Sequence, residues 1–323
     1  MPIPDFHDVP VLVTGGAGFI GSHLVDALVE RGARVRVLDD FSTGLRENLK
    51  NLDGQIDLHE GDVRDPDACR RAADGVRYVF HQAALGSVPR SMKDPARTVA
   101  VNVTGTANVF TAARDAGVER IVYASSSSVY GDSETLPKRE GEEGTVLSPY
   151  ALSKQMNEEL ADVFGRCFGL ELIGLRYFNV YGPRQRPDGP YAAVIPRFFA
   201  ASLAGEPPVI HGDGLQSRDF TYVADAVEAN LLAAGAPSEA CGRAYNIAPG
   251  ERTTILELAR LVRELTDGPE AVHGEARPGD VRHSTADGGA AREELEFAPR
   301  SDLQAGLLRT LQTWSAPQKV ASP

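Results

Sequence analysis

The sequence predicts an α/β fold in which a doubly wound parallel sheet is joined to a smaller, sequence-interleaved C-terminal lobe. Three observations lead to this prediction. Strand-like and helix-like segments alternate through the first half of the 323 residues, a glycine-rich loop joins the first strand to the first helix, and proline and glycine become dense after residue 180. Such alternation indicates parallel strands connected by right-handed crossovers. A chain of this length buries a large core, as one large domain or two modest domains.

The segments of the first half follow one another in a regular order. The apolar run at 9–15 predicts a buried strand, the pattern at 19–32 predicts a helix, and 33–40 predicts a second strand. The remaining segments, in chain order, are a strand at 56–62, a helix at 67–74, a strand at 76–84, a long helix at 94–117, a strand at 118–127, a helix that begins near Tyr150 and a strand at 170–180. This order predicts a sheet with helices on both faces.

Beyond residue 180 the predicted elements become short and loops interrupt them, which is typical of a small lobe that completes a ligand cleft. The pattern at 223–236 predicts a helix that returns to pack on the main sheet. We therefore predict a first domain at 1–180 with a return segment at about 219–240, a lobe at 181–218 and 241–315, and a frayed tail at 316–323.

The composition excludes several classes of protein. The net charge of −12 argues against nucleic acid as the main partner. No apolar run approaches the roughly 20 residues of a membrane helix, and the first ten residues lack the features of a signal peptide, so a cytoplasmic location is the default prediction. Cys69, Cys167 and Cys241 lie far apart and the seven histidines form no ligand motif, which predicts no metal site.

The loop that follows the first predicted strand has the spacing of a dinucleotide-binding fingerprint. The motif is satisfied by Gly16, Gly18 and Gly21, and equally by Gly15, Gly18 and Gly21. Glycine is required because the turn is tight and the backbone must approach a pyrophosphate at the helix N-terminus. Because the loop follows a strand and opens a helix, the sequence predicts a dinucleotide site on a Rossmann-type sheet.

A carboxylate at the end of the second predicted strand favours NAD over NADP. Asp39 lies about twenty residues beyond the glycines, where an acidic residue binds the adenosine ribose diol and repels a 2′-phosphate. The neighbouring Asp40 is interpreted as a solvated strand-end residue. Asp62, after the third strand, is placed to reach the adenine.

Tyr150 and Lys154 stand four residues apart in a predicted helix, which places the phenol and the ammonium group on one face. A nearby cation lowers the pKa of a phenol, so we expect Tyr150 to act as a general base near neutral pH. The serine run from Ser125 to Ser128 lies upstream, at the end of a predicted strand.

Taken together, these motifs resemble those of the extended short-chain dehydrogenase/reductase family, and most closely its NAD-dependent UDP-sugar 4-epimerases. The resemblance covers nearly the whole chain, through the segments VLVTGGAGFIG, YVFHQAALGSVPRS, YASSSSVYGD, SPYALSK, LRYFNVYGPRQ, GDGLQSRDFTYV and RPGD. It implies NAD as cofactor, a UDP-sugar as substrate, and a homodimer formed through the helices near 94–117 and 150–167.

The resemblance also implies roles for individual residues. Tyr150 is the base, Lys154 binds the nicotinamide ribose, and Ser126 bridges substrate and tyrosine, with Ser127 as a substitute or helper. The implied cofactor-binding residues, which include the tyrosine and the lysine, are Gly15, Gly18, Phe19, Ile20, Gly21, Asp39, Asp62, Val63, Ala83, Asn102, Tyr150, Lys154 and Tyr177.

Two serines stand where related enzymes of this family carry acids. Sugar-nucleotide dehydratases resemble this pattern but have Asp-Glu just before Val-Tyr-Gly, and UDP-glucuronate decarboxylases keep a Glu there. In this sequence the two positions are Ser127 and Ser128. Without the additional acid, the resemblance predicts redox chemistry at C4 rather than elimination or decarboxylation.

For the nucleotide part of the substrate, the resemblance implies contacts from the predicted lobe. Asn179, Arg218 and Arg277 match positions that contact the diphosphate, and arginine forks suit phosphate oxygens. Asp280 matches a uridine-ribose contact and Val194 a uracil contact.

The identity of the sugar depends on fewer residues. The segment around Ser87 resembles enzymes that act on UDP-N-acetylhexosamines or UDP-glucose, whereas Arg186 in PRQRPD is similar to UDP-glucuronate 4-epimerases, where this arginine faces the sugar carboxylate. Ser127 and Ser128 could hydrogen-bond that carboxylate, while the alternative is that Arg186 points to solvent or pairs with Asp188. We therefore predict epimerisation of UDP-glucuronate to UDP-galacturonate. The alternatives are a neutral or N-acetylated UDP-hexose and, more distantly, a UDP-glucuronate decarboxylase or a non-catalytic NAD-binding scaffold.

Overall fold

The computed structural model describes residues 3–187, 192–276 and 281–315. Its strands, in chain order, are β1 (Pro10–Thr14), β2 (Arg34–Asp39), β3 (Ile56–Glu60), β4 (Tyr78–His81), β5 (Arg120–Ser126), β6 (Glu171–Tyr177), β7 (Val209–His211), β8 (Ser217–Arg218), β9 (Arg243–Ile247), β10 (Thr253–Thr254) and β11 (Val272–Gly274). Its α-helices are α1 (Phe19–Glu30), α2 (Pro66–Ala73), α3 (Val88–Lys93), α4 (Pro95–Val99), α5 (Gly105–Asp115), α6 (Pro149–Phe168), α7 (Val194–Leu203), α8 (Val223–Gly235), α9 (Ile255–Thr266), α10 (Gly289–Glu294) and α11 (Leu303–Ser315).

The main sheet has seven strands in the order β3-β2-β1-β4-β5-β6-β9, and every neighbouring pair is parallel. This arrangement confirms the predicted doubly wound, Rossmann-type α/β fold. The chain builds one half outward from β1 and the other outward from β4, so the strand order reverses between these two strands. In open α/β sheets this reversal opens a crevice at the carboxyl ends of the strands, where ligands bind.

Both faces of the main sheet are covered, which explains why its strands read as continuous apolar runs. Val11 and Val13 of β1 face a core that includes residues of α1 and α8, whereas Leu12 faces a core built with α2 and α5. Each of these three side chains is fully buried.

Helix α6 places the Tyr150 and Lys154 pair beside the end of β5. Its N-cap is Ser148, whose hydroxyl accepts a hydrogen bond from the Ala151 N–H at 3.1 Å, and Pro149 occupies the first turn. Both features favour a helix start at this point. Tyr150 and Lys154 therefore lie in the first two turns, beside the end of β5.

The smaller region contains two short sheets packed beside helices. β7 pairs with β11 in parallel, and β8 pairs with β10 antiparallel. Helix α9 begins with a capping box between Thr254 and Glu257, and it packs on α7 and α11. The shared core of this region is formed by Ile195, Phe198, Phe199, Leu258, Val262 and Leu307.

The chain returns to the main sheet over a longer stretch than the sequence predicts. α8 packs against α1, and β9 then pairs with β6 as the edge strand. The predicted lobe segment 241–315 therefore begins too early. Tyr245 and Ile247 are fully buried in the main core, and a strand this short has too weak a pattern to be assigned from sequence. We propose that the return segment extends to Ile247.

Candidate active site

A cavity of about 540 Å³ opens at the carboxyl edge of the main sheet, where the strand order reverses. We call it the first cavity. It is bordered by the ends of β1, β2, β4, β5 and β6 and by the start of α6. The predicted site residues that line it are Gly15, Gly18, Phe19, Ile20, Gly21, Asp39, Asp62, Val63, Ala83, Ser87, Ser126, Ser127, Ser128, Tyr150, Lys154, Tyr177 and Asn179.

A second cavity, of about 230 Å³, adjoins the first on the side of the smaller region. Val194 and Arg218 line it, while Asn179 and Val180 line both cavities and so mark where they meet. The Arg218 guanidinium donates to the Ser217 carbonyl at 2.8 Å. Most of the residues that the sequence assigns to the cofactor and to the UDP-sugar therefore lie along one cleft.

Two of the predicted site residues that the structure describes, Asn102 and Arg186, do not line the cleft. Asn102 is buried in a π-helical turn at 100–104, where its Oδ1 accepts from the Leu85 N–H at 2.8 Å. It supports the wall of the first cavity from behind. Arg186 is exposed and is not among the described residues that line either cavity. Arg277 and Asp280 lie outside the described residues.

The glycine loop leaves the N-terminus of α1 open toward the first cavity. Gly15 has a φ of +69°, and a Cβ on Gly21 would lie 2.1 Å from the Gly15 carbonyl oxygen, so the loop closes only with glycine at both positions. Gly16 instead packs against Val37. The motif that lines the cavity is therefore Gly15, Gly18 and Gly21. Helix α1 has no side-chain cap, so its first N–H groups remain available to an anionic phosphate.

Asp39 is held at the end of β2 with both carboxylate oxygens directed by the backbone. Its Oδ2 accepts from the Ala17 N–H at 2.9 Å and its Oδ1 accepts from the Phe41 N–H at 2.8 Å. Burial raises the pKa of this carboxyl, and the two backbone hydrogen bonds oppose that increase. A carboxylate oxygen accepts more than one hydrogen bond, so capacity remains for a ribose diol. Together with the uncapped helix, this geometry fits the adenosine and pyrophosphate of NAD.

At the end of the first cavity beside α6, Lys154 is buried, Tyr150 is half-buried, and Ser126 hydrogen-bonds the Tyr150 phenol. The Lys154 ammonium donates to the Ala124 carbonyl at 2.8 Å. Burial lowers the pKa of Lys154 to about 8, and the negative charge of Glu158 opposes that decrease. The pair therefore consists of a phenol touched by a hydroxyl and an ammonium group anchored to the end of β5.

The pKa of Tyr150 is raised in the structure, whereas the sequence predicted a lowered pKa. Burial raises the pKa of the phenol, and the opposing influence is the hydrogen bond with Ser126 rather than the charge of Lys154. Helical spacing reveals that two residues share a face, but it does not reveal how far water is excluded from them, and here desolvation dominates.

The structure separates the roles of the serines in the 125–128 run. The Ser125 hydroxyl donates to the Glu158 carboxylate, away from Tyr150. Ser126 contacts Tyr150 and its hydroxyl also accepts from the Ser128 N–H at 3.2 Å. The Ser128 hydroxyl is buried in the cavity wall and has no hydrogen-bond partner among the described residues. Ser126 is therefore the serine of the run that both lines the first cavity and hydrogen-bonds Tyr150.

Two residues of the cavity support were missed from the sequence. The Tyr177 hydroxyl donates to Gln82 Oε1 at 3.2 Å and accepts from Asn230 Nδ2 at 2.7 Å, and Gln82 Nε2 donates to Asn230 Oδ1 at 2.9 Å. This closed triangle joins β4, β6 and α8. Gln82 directly follows a strand at the ligand-binding edge, and Asn230 is an amide in an otherwise small and apolar helix. The sequence therefore contained a local indication of a functional role at both positions.

The described residues contain no group of three or more His, Cys, Asp or Glu side chains arranged to hold a metal ion. Within the same described ranges, no helix combines the length and apolar character needed to cross a bilayer. The three cysteines are unpaired thiols.

Comparison with known proteins identifies the family. A model described as the NAD dependent epimerase/dehydratase family matches residues 11–248. The putative UDP-glucose 4-epimerase of Methanocaldococcus jannaschii is 39% identical over 304 residues, which cover 93% of this chain and 97% of the relative. The chain belongs to the NAD-dependent epimerase/dehydratase family.

Solved structures of members of the epimerase/dehydratase family superpose closely on this fold. The UDP-glucose 4-epimerase of Thermotoga maritima, solved with UDP-glucose, is 38% identical with a TM-score of 0.90, covering 95% of this chain and 98% of that chain. MoeE5 in complex with UDP-glucuronic acid and NAD is 38% identical with a TM-score of 0.84, covering 94% and 98% respectively.

Membership of the epimerase/dehydratase family confirms three predictions. The resemblance to the extended short-chain dehydrogenase/reductase family is correct, NAD is the cofactor, and the chain is an enzyme of the isomerase class, as its epimerase relatives are.

Proposed function

We propose that this enzyme is a UDP-sugar 4-epimerase that interconverts UDP-glucuronate and UDP-galacturonate. The observation that carries the epimerase assignment is the distribution of carboxylates. The acidic residues among the described lining of the first cavity are Asp39, Asp40 and Asp62, all at the ends of β2 and β3. Tyr150 lies beside β5, three strand spacings from β2, or about 14 Å. Among the described residues, the end of the cavity beside α6 therefore offers a phenol and hydroxyls but no carboxylate.

The chemistry follows from these groups. NAD, when bound, supplies the hydride acceptor and donor at its nicotinamide. Tyr150 removes the proton of the 4-hydroxyl and later returns it, Ser126 hydrogen-bonds the same oxygen, and the Lys154 ammonium stabilises the negative charge nearby. Ser127 and Ser128 cannot serve as a carboxylate acid or base for elimination at C5 and C6. Inversion at C4 is therefore the reaction that these residues support.

The second cavity is assigned to the uridine diphosphate. Arg218 supplies a cation for the diphosphate, Asn179 an amide at the junction of the two cavities, and Val194 an apolar surface for the base. The homodimer and the cytoplasmic location stay predictions.

The assignment of UDP-glucuronate is supported by the burial of Ser128 and not by the position of Arg186. A buried hydroxyl without a partner is costly unless a ligand accepts its hydrogen bond, and Ser128 lines the cavity that holds Tyr150. A sugar carboxylate would accept from it. MoeE5, which binds UDP-glucuronic acid, is also similar over nearly the whole chain.

A neutral sugar is the second candidate, and the position of Arg186 favours it. Among the described residues, Lys154 is the one Lys or Arg that lines the first cavity, and Arg186 is exposed. UDP-glucose or UDP-GlcNAc would need no further cation, and the T. maritima relative contains UDP-glucose.

Purified enzyme should convert UDP-glucuronate faster than UDP-glucose or UDP-GlcNAc when the three are assayed for 4-epimers by chromatography. Ser128→Ala should lower kcat/KM for UDP-glucuronate by about 10-fold or more, because hydrogen bonds to charged groups contribute about 1.5–3 kcal/mol. The same variant should change kcat/KM for UDP-glucose little. Turnover of a neutral sugar without turnover of the acid sugar would overturn the substrate assignment and leave the epimerase assignment standing.

Ser126→Ala should lower kcat by about 10- to 100-fold and move the acidic limb of the kcat profile to higher pH. Its hydrogen bond lowers the pKa of Tyr150, so its loss raises that pKa, and the phenolate that acts as base exists only above it. Ser125→Ala is the matched control, because the Ser125 hydroxyl donates to Glu158. The acidic limb of the kcat profile of this variant should stay at the wild-type pH. Equal shifts in both variants would contradict the assignment of Ser126.

A further inference from the structure

Behind the Tyr150 and Lys154 pair, α6 carries a carboxylate that the reaction does not use. Glu158 follows Lys154 by one helical turn and so shares its face. Glu158 Oε1 accepts from Ser125 Oγ and, at 2.9 Å, from Arg176 Nε, and its Oε2 accepts from Arg176 Nη2 at 2.7 Å. Its side chain is only 15% exposed. It is not among the described residues that line either cavity.

Glu158 belongs to a partly buried cluster of charged side chains. Lys154 and Arg176 supply two buried cations, and Glu158 and Glu143 supply two carboxylates. Arg176 contacts both carboxylates, whereas the described contact of the Lys154 ammonium is the neutral carbonyl of Ala124. A buried ammonium group without a nearby negative charge is expensive and tends to lose its proton.

We propose that Glu158 is a positioning residue whose negative charge keeps the buried side chain of Lys154 in its ammonium form. The proposal rests on the role of Lys154 put forward above. Lys154 reaches the first cavity, whereas Glu158 acts on it from behind through the helix face that they share. In support, burial lowers the pKa of Lys154 to about 8, and Glu158 is the charged group that opposes this.

Other charged or titratable groups surround this cluster. Burial lowers the pKa of His81, on β4, to about 3, so this histidine is neutral near pH 7. Burial also raises the pKa of Tyr123, on β5, which keeps it neutral. The groups that face the cluster from each element are Tyr150 on α6, His81 on β4, Tyr123 on β5, Arg176 on β6, Tyr130 in the turn after β5, and Glu140 and Glu143 in the loop before α6. Arg176 engages both Glu143 and Glu158, so this group of one guanidinium and two carboxylates keeps one negative charge. Of the two carboxylates, Glu158 is the one that shares a helix face with Lys154.

Glu158→Gln should lower the pKa of Lys154 by about 1 pH unit relative to the wild-type protein, because a unit charge one helical turn away in a partly buried site contributes on that scale. The sequence contains only five lysines, so a full chain labelled with ¹³C at the lysine ε carbon gives few NMR signals to titrate. The Lys154 signal is assigned by its loss in Lys154→Arg. Because Lys154 is charged below its pKa, the alkaline limb of kcat/KM should move to lower pH by the same amount.

Two matched variants separate charge from packing. Glu159→Gln removes the charge of the exposed neighbour and should leave the Lys154 titration unchanged. Glu143→Gln removes the other carboxylate on Arg176 and should lower the Lys154 pKa by less than Glu158→Gln. Glu158→Asp keeps the charge and should restore the wild-type titration if the glutamine variant folds poorly. An unchanged Lys154 pKa in Glu158→Gln, or an equal shift in Glu143→Gln, would overturn the proposal. Because the NMR titration uses no sugar, a wrong substrate assignment would not affect it.

Discussion

Tyr150→Phe is expected to lower kcat for 4-epimerisation by about 10³-fold while leaving NAD bound. General acid–base catalysis contributes roughly 10²- to 10⁴-fold, and Tyr150 is the described group that combines a titratable proton with a hydrogen bond to Ser126 in the first cavity. The substitution keeps the half-buried aromatic ring and removes one oxygen. The fold of α6 and the cavity wall should therefore survive, and the loss should appear in kcat rather than in KM.

The measurement is kcat with UDP-glucuronate, together with the NAD content of the denatured protein by absorbance. Tyr177→Phe is the matched control, because Tyr177 also lines the first cavity but its hydroxyl is engaged by Gln82 and Asn230. Its kcat should fall by at most about 10-fold. Wild-type rates in Tyr150→Phe would show that another group moves the proton, and an absence of any sugar conversion by the wild-type protein would favour a non-catalytic NAD-binding scaffold.

The features predicted correctly from the sequence are those encoded within short stretches of chain. The fold follows from apolar strands such as β1, which are buried on both faces and therefore read as continuous runs. Gly15 and Gly18 lie in one strand–loop–helix unit, and Asp39 ends the next strand, so spacing alone places them at one edge of the sheet.

The features that the sequence did not reveal depend on contacts between distant segments. Gln82 and Asn230 are 148 residues apart and meet only because α8 packs beside the end of β4. Strand β9 was assigned to the wrong region because five residues carry too little pattern. The raised pKa of Tyr150 results from burial, which is a property of the whole assembly around α6.

Arg186 shows that a sequence motif does not determine where a side chain lies in the folded protein. The segment around it resembles enzymes in which the arginine faces a sugar carboxylate, yet the side chain is exposed in this structure. The sequence predicted Ser128 as a substrate-binding residue, and the structure adds that its buried hydroxyl has no hydrogen-bond partner among the described residues. A short motif specifies residue types, whereas the orientation of each side chain depends on packing.

Gly21→Ala is expected to abolish NAD binding and to lower the free energy of unfolding by about 2–3 kcal/mol. A Cβ at this position would lie 2.1 Å from the Gly15 oxygen, 2.9 Å from the Gly15 carbonyl carbon and 3.0 Å from the Gly16 Cα. All three are backbone atoms of the phosphate-binding loop, so no flexible side chain can move aside. Overpacking of this kind costs about 1–3 kcal/mol, and here the strain falls on the first turn of α1.

Gly18→Ala provides the graded comparison, because its added Cβ would meet only the Gly15 oxygen, at 3.1 Å. A shift of a few tenths of an ångström relieves that contact, so NAD affinity should fall by about 10-fold or less and the stability loss should be small. NAD content after purification, calorimetric NAD binding and urea unfolding distinguish the two variants. A Gly21→Ala protein that purifies with the wild-type amount of NAD would show that the pyrophosphate does not sit against this loop, because the N-terminus of α1 cannot keep its position once the loop beneath it is displaced.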